Sequence, residues 1–149
     1  LKFILGAGAI YREDESIGFI LYTADLKMKQ HFHRKIKLFG ITPEQWTILS
    51  RLFEEDGISQ KELSEKTLKD QAALTRTLDR LEKRQLIKRK ASSNDRRSFL
   101  VHLTDAGQIM RSEIGPIAEE CHEMAVKGFT EEQVKVLKKL LRKTILNLS

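Results

Sequence analysis

The sequence predicts a mainly helical fold interrupted by one small β-hairpin, and three observations predict it. Apolar residues recur at helical spacing through most of the 149-residue chain. Helix-start signatures appear at Thr42, Ser59 and Thr130. Between Leu86 and Leu103 the helical pattern gives way to two short apolar runs separated by a polar turn. The composition agrees: 40% hydrophobic and 32% charged residues, with only two prolines and eight glycines, suit one helical domain with a real core.

Each element has a local cause. From Ser16 to Phe39, Ile17, Ile20, Leu21, Ala24, Met28, Phe32, Ile36 and Phe39 form one stripe, giving a long helix that Gly40 ends. In Thr42-Pro43-Glu44-Gln45 the threonine can cap, the proline suits the first helical position and the glutamine completes a capping box. That second helix carries Trp46, Ile48, Leu49, Leu52 and Phe53 and stops at Asp56-Gly57. Ser59 and Glu62 form a second box, opening a short third helix to about Lys66, and Asp70 caps a fourth from Gln71 to about Arg84. Leu86 to Lys90 and Ser98 to Leu103 read as two strands. Thr104 caps a fifth helix to about Lys127, with a kink expected at Gly115-Pro116. The box at Thr130 and Gln133 opens a last helix with Val134, Leu137, Leu141 and Leu148 in near-heptad register.

The order of four helices, a hairpin and two helices describes a winged helix-turn-helix over residues 41–104, flanked by helices over 16–40 and 105–148. The flanking helices hold more apolar surface than so small a domain can cover, so they are expected to pair two chains. Leu1 to Glu15 reads as an N-terminal arm, either a tag remnant or a natural segment packed on a partner. Its apolar run is shorter and less continuous than a signal peptide requires. No stretch approaches a membrane span.

Charge is segregated. Of 27 Lys/Arg and 21 Asp/Glu, Gly57 to Thr104 holds twelve and six, which leaves fifteen of each sign elsewhere. The whole net excess of +6 therefore lies in the central third, which points to a polyanionic partner.

On the fourth helix Leu74, Leu78 and Leu81 face inward, leaving Ala72, Thr75, Arg76, Asp79, Arg80 and Lys83 outside. Gln71, Ala72, Thr75 and Arg76 at its N-terminal end suit entry into a DNA major groove. Small residues permit close approach, and Gln and Arg can pair with adenine and guanine edges. Arg80, Lys83, Lys69 and Lys61 lie further out, toward phosphates. At the hairpin tip, Arg96 and Arg97 can enter the neighbouring minor groove, with Asp95 expected to hold Arg97 extended through a charge-assisted hydrogen bond.

The run Leu63-Ser64-Glu65, Leu74-Thr75-Arg76, Leu78-Asp79-Arg80-Leu81-Glu82-Lys83, Leu86-Ile87, Asp95-Arg96-Arg97 and Leu103-Thr104-Asp105-Ala106-Gly107 resembles the MarR family of bacterial transcription regulators. The resemblance extends from about Ser16 to Leu148, and the Asp-x-Arg wing followed by Leu-Thr-x-x-Gly is its most specific part. It implies a homodimer built from the first, fifth and sixth helices, a pseudo-palindromic double-stranded DNA operator, and an effector between the dimer and DNA-binding parts. That effector would be a small phenolic, antibiotic-like or lipophilic molecule. It also implies that Thr75 and Arg76 contact DNA and that Asp95 and Arg97 form the wing pair. One departure stands out: many members carry Gly before the Leu-Ile pair, where this chain has Gln85. A left-handed turn there costs Gln roughly 1 kcal/mol more than Gly.

Other chemistries find little support. Cys121 lies beside Glu119, Glu120 and Glu123, which disfavour a thiolate, so a structural or silent cysteine is expected. A lone cysteine fits a reducing, cytoplasmic setting. His31 and His33 lie two apart on a helix, face different sides, and with His102 and His122 form no metal-binding spacing. No cofactor is implied. Tyr22, Phe32 and Trp46 read as core before they read as a ligand pocket. No phosphate-cradling loop, nucleophile elbow or paired-acid spacing suggests an enzyme. The remaining alternative from another class is a protein-interaction module that keeps the winged helix without using DNA.

Overall fold

A computed structural model describes residues 12–149. Most of the expected N-terminal arm, residues 1–11, lies outside the described residues. A 3-10 turn, Glu13–Glu15, leads into six helices: α1 (Ile17–Ile36), α2 (Pro43–Glu54), α3 (Gln60–Thr67), α4 (Gln71–Lys83), α5 (Asp105–Ala125) and α6 (Glu131–Asn147). Three strands, β1 (Ile58–Ser59), β2 (Ile87–Ala91) and β3 (Phe99–Leu103), form an antiparallel sheet in the order β1-β3-β2.

The local capping signals translate into bonds. Thr42 accepts from the Gln45 amide while Gln45 Oε1 accepts from the Thr42 amide, and Thr130 and Gln133 repeat that exchange. Ser59 closes only half of its box. It accepts from the Glu62 amide, but its hydroxyl, not its amide, faces the Glu62 carboxylate, at 3.4 Å. Asp70 and Thr104 accept from the amides of Ala73 and Gly107.

Two expectations need correction, at the end of the first helix and at the hairpin. The first helix does not run to Phe39: it ends at Ile36, and a 3-10 turn, Lys37–Phe39, carries the chain to Gly40 at φ +65°. α5 runs without interruption from Asp105 to Ala125 with Pro116 inside it. The ring removes one amide donor, but Ser112, whose carbonyl would have received it, is exposed, so water can take its place. The hairpin is also the larger part of a three-stranded sheet. β1 pairs with β3 through Ile58↔Val101 and Ser59↔Leu100, and β2 pairs with β3 from Ile87↔Leu103 to Ala91↔Phe99.

The core is centred on the middle of the chain. Twelve of its residues lie between Ile41 and Val101: Ile41, Ile48, Leu49, Leu52, Ile58, Leu63, Leu74, Leu78, Leu81, Leu86, Ile87 and Val101. Ile36 from α1 and Ile114 from α5 complete it, and α6 contributes no buried residue. α5 also rests on α2 through Arg111, whose guanidinium lies 4.1 Å from the centre of the Phe53 ring.

The base of the hairpin is tightly built. Gln85 occupies the left-handed region at φ +60°. The left-handed turn expected there is thus made without Gly, held by the Gln85 amide on the Glu82 carbonyl and by the Thr104 hydroxyl, which donates to the Gln85 carbonyl at 2.6 Å. At Gly107 the first turn of α5 passes so close that a Cβ would lie 2.1 Å from the Leu86 carbonyl oxygen. The Gln85→Gly variant relieves the left-handed conformation and should raise the unfolding free energy by about 0.5–1 kcal/mol in urea titrations at fixed protein concentration.

Candidate nucleic-acid interface

A groove separates the N-terminal end of α4 from the wing formed by β2, β3 and their connecting loop. It is lined by Gln60 and Lys61 of α3, Gln71, Thr75 and Glu82 of α4, and Arg89, Asp95, Arg97, Ser98 and Phe99 of the wing. The inward face of α4 is Leu74, Leu78 and Leu81, all fully buried, so the opposite face is turned to solvent. Gln71, Ala72, Arg76, Arg80 and Lys83 are exposed and Thr75 is half-buried. The fold thus brings Gln71, Thr75, Lys61, Asp95 and Arg97 to one groove. Arg96 is exposed at the wing tip.

Lys69 is placed differently. It lines a second cleft between α1, α2 and α5, together with Met28, Lys29, Phe32, Trp46, Cys121 and His122. The sequence grouped Lys69 with Lys61 by charge alone, and the turn between α3 and α4 separates the two. Phe32 and Trp46 pack edge to face at 5.9 Å beside this cleft, whereas Tyr22 is exposed on α1. Burial pushes the Cys121 thiol upward, with Glu120 adding to the shift and Lys35 opposing it. Among the described residues no group of histidine, cysteine and carboxylate side chains is gathered for a metal, and no helix is long and apolar enough to cross a membrane.

Asp95 does not hold the Arg97 guanidinium. Its Oδ1 accepts from the Arg97 backbone amide at 2.9 Å. A carboxylate two residues before an amide closes a local turn more readily than it captures a long, solvated side chain. Asp95 therefore shapes the wing tip and leaves the Arg97 guanidinium unengaged.

The arginines divide into two sets. Arg89 on β2 reaches α4, donating from Nη2 to Asp79 at 2.6 Å and from Nε to Glu82 at 3.3 Å, while its amide donates to Glu82 at 2.9 Å. These bonds hold the Glu82 carboxyl below the usual glutamate range, against the opposing effect of desolvation. Arg84 donates to the carbonyls of Gly40 and Phe39 at 2.6 and 3.0 Å, joining the end of α4 to the corner between α1 and α2. In contrast, the side-chain cations of Lys61, Arg76, Arg80, Lys83, Arg96 and Arg97 form no ion pair or hydrogen bond with any described residue. The first set aims the wing and the helix. The second stays unneutralised among the described residues.

Sequence reasoning missed Gln60, Arg84 and Arg89 as members of this arrangement. It also passed over Lys88 and Lys90, which are exposed on β2 to either side of Arg89. The alternation Lys88-Arg89-Lys90 was the available signal, because a strand turns its middle residue to the opposite face.

A helix offering small and polar residues, a wing aimed by an ion pair and a rim of unneutralised cations define a winged helix-turn-helix regulator. The sequence profile described as the MarR family matches residues 41–99. MgrA of Staphylococcus aureus, an HTH-type transcriptional regulator, is 28% identical over 132 residues, 88% of each chain. A probable transcriptional regulator from Pseudomonas aeruginosa is 34% identical with a TM-score of 0.83, covering 89% of this chain and 99% of its own. A mutant MarR from E. coli, solved in complex with operator DNA, is 27% identical with a TM-score of 0.84, covering 91% and 99%. The chain belongs to the MarR family, whose members matched here are transcriptional regulators and not enzymes.

Arg89→Ala should lower stability by on the order of 1 kcal/mol, the scale of a partly exposed ion pair. Glu82 is held below its unfolded value, so its contribution is full above the ordinary glutamate range and is lost as pH falls through the folded value. The stability gap between wild type and Arg89→Ala, measured by urea unfolding, should therefore narrow below that range.

Proposed function

We propose that this protein is a homodimeric, sequence-specific double-stranded DNA-binding repressor that reads a pseudo-palindromic operator and is released by a small effector. The observation that carries the reading is the set of unpaired cations on α3, α4 and the wing, two of which, Lys61 and Arg97, line the groove, since six lysine and arginine side chains without partners among the described residues suit a line of phosphates. Gln71, Ala72, Thr75 and Arg76 would meet base edges, Arg80, Lys83 and Lys61 phosphates, and Arg96 and Arg97 the adjoining minor groove. The similarity to a regulator solved with operator DNA supports that orientation.

Dimerisation is supported by what the chain leaves uncovered. Ile17, Phe19, Ile20 and Tyr22 on α1 and Leu137, Leu140, Ile145 and Leu146 on α6 are exposed, and α6 buries no residue within its own chain. A second copy would cover both helices and place two recognition helices roughly 34 Å apart, one DNA turn. The cleft between α1, α2 and α5, with a volume of about 400 Å³, joins the pairing helices to the helix-turn-helix and would hold the effector. An aromatic or lipophilic molecule resting on Phe32, Trp46 and Met28 fits its lining. By preferring one spacing of the recognition helices it would shift the population away from the DNA-competent state. Cytoplasmic residence follows from this role.

Sedimentation should give a dimer at micromolar concentration; a monomer there would remove the two-site mechanism. Operator affinity, measured by fluorescence anisotropy, should fall steeply with salt, and Arg97→Ala should weaken it by roughly 1–3 kcal/mol. Weak binding that an unrelated duplex abolishes would favour an interaction module over a regulator.

A further inference from the structure

The inner face of β3 runs past the edge of the core. Side chains alternate along a strand, so Leu103, Val101 and Phe99 share one face. Val101 is fully buried and Leu103 packs against the core. Phe99 lies beyond it, 47% exposed, and lines the groove between α4 and the wing. Its partner across the sheet is Ala91, whose methyl group covers little of a ring. No aromatic ring or guanidinium among the described residues stacks on it. A lone exposed ring is ordinary on a protein surface. This one, however, is the apolar member of a groove whose other walls include Gln60, Lys61, Gln71, Thr75 and Arg97.

We infer that Phe99 is a DNA-contact residue that packs on deoxyribose, in the strand running between the two grooves the protein enters; this rests on the DNA-binding reading above. With α4 in the major groove and the wing in the adjoining minor groove, one sugar-phosphate strand separates the two. That strand passes between α4 and the wing, where phosphates alternate with sugars. The phosphates have Lys61 and Arg97, whose cations line the groove without partners among the described residues. A phenyl ring carries no hydrogen-bond donor and no charge, so its complement is the C–H face of a sugar. Base edges in the major groove are met from α4, on the other side of that strand. Phe99 therefore adds affinity without base preference and without displacing counterions.

The test compares wild type, Phe99→Ala, Phe99→Leu and Lys61→Ala, each as the full chain. Selection from randomised duplexes gives base frequencies, and fluorescence anisotropy on the duplex that wild type enriches gives affinity across a range of salt. Because the ring lies outside the core, thermal melting should show every variant folded. Phe99→Ala should weaken binding about fivefold to tenfold per half-site, the scale of covering half a phenyl ring. The slope of log affinity against log salt and the base frequencies should stay as in wild type, and Phe99→Leu should recover most of the loss. Lys61→Ala, in contrast, should lower that slope by about 0.9 for each half-site, one phosphate contact. Unchanged affinity of Phe99→Ala overturns the proposal. A changed base frequency at one position also does, since the ring would then read a base such as thymine through its methyl group. So does a slope lowered as in Lys61→Ala, which would mean that the wing has moved off its phosphates. Failure of wild type to enrich any sequence removes the DNA-binding reading and this inference with it.

Discussion

The arrangement depends on a junction three residues long. At Arg84, Gln85 and Leu86 α4 ends, the wing begins, and two other parts of the chain are tied on. Arg84 reaches the carbonyls at the corner between α1 and α2. The Gln85 carbonyl accepts from the Thr104 hydroxyl, and the Leu86 carbonyl accepts from the Thr104 amide at 3.2 Å. The close approach of Gly107 then fixes where α5 starts. Four directions (α4, β2, α5 and the α1–α2 corner) are set by a few neighbouring backbone groups. That explains why a residue poorly suited to a left-handed turn is tolerated there. Three sets of bonds over-determine the position, and the strain of one φ angle is small beside them.

Around this junction, charge is sorted by use. A protein with a large local excess of arginine could neutralise it internally, and Arg89 shows how: two carboxylates of α4 surround it. Those carboxylates lie on the wing side of the helix, away from its N-terminal end. Positive charge therefore stays uncompensated where the groove opens and is compensated where wing and helix must keep a fixed angle. Asp95 follows the same division, since it binds a backbone amide and leaves the adjacent guanidinium alone.

The parts that were legible in the sequence are those whose causes are local. A capping residue and its partner lie three positions apart, so Thr42 with Gln45 and Thr130 with Gln133 could be read directly, and the leucine stripe of α4 follows from helical periodicity alone. β1 was invisible because two residues have no alternation to detect, and only pairing with Val101 and Leu100 makes them a strand. Arg89, Arg84 and Gln60 escaped for a related reason. Their partners lie 7 to 45 positions away, and which arginine pairs internally is decided by packing. Charge showed that the central third was basic; it did not show that Lys69 turns toward another cleft or that Asp95 would choose an amide over a guanidinium.

The uneven placement of the core also has a temporal consequence. Every fully buried side chain from Ile36 to Ile114 has been synthesised before any part of α6 exists. The helix-turn-helix and its wing can therefore close while the chain is still being extended, with the groove already formed. The apolar face of α6 emerges afterward, on a body that needs none of it for its interior. Birth order thus separates two tasks that compete in many small proteins. The polypeptide first completes its buried interior, and only then displays the apolar face of its last helix.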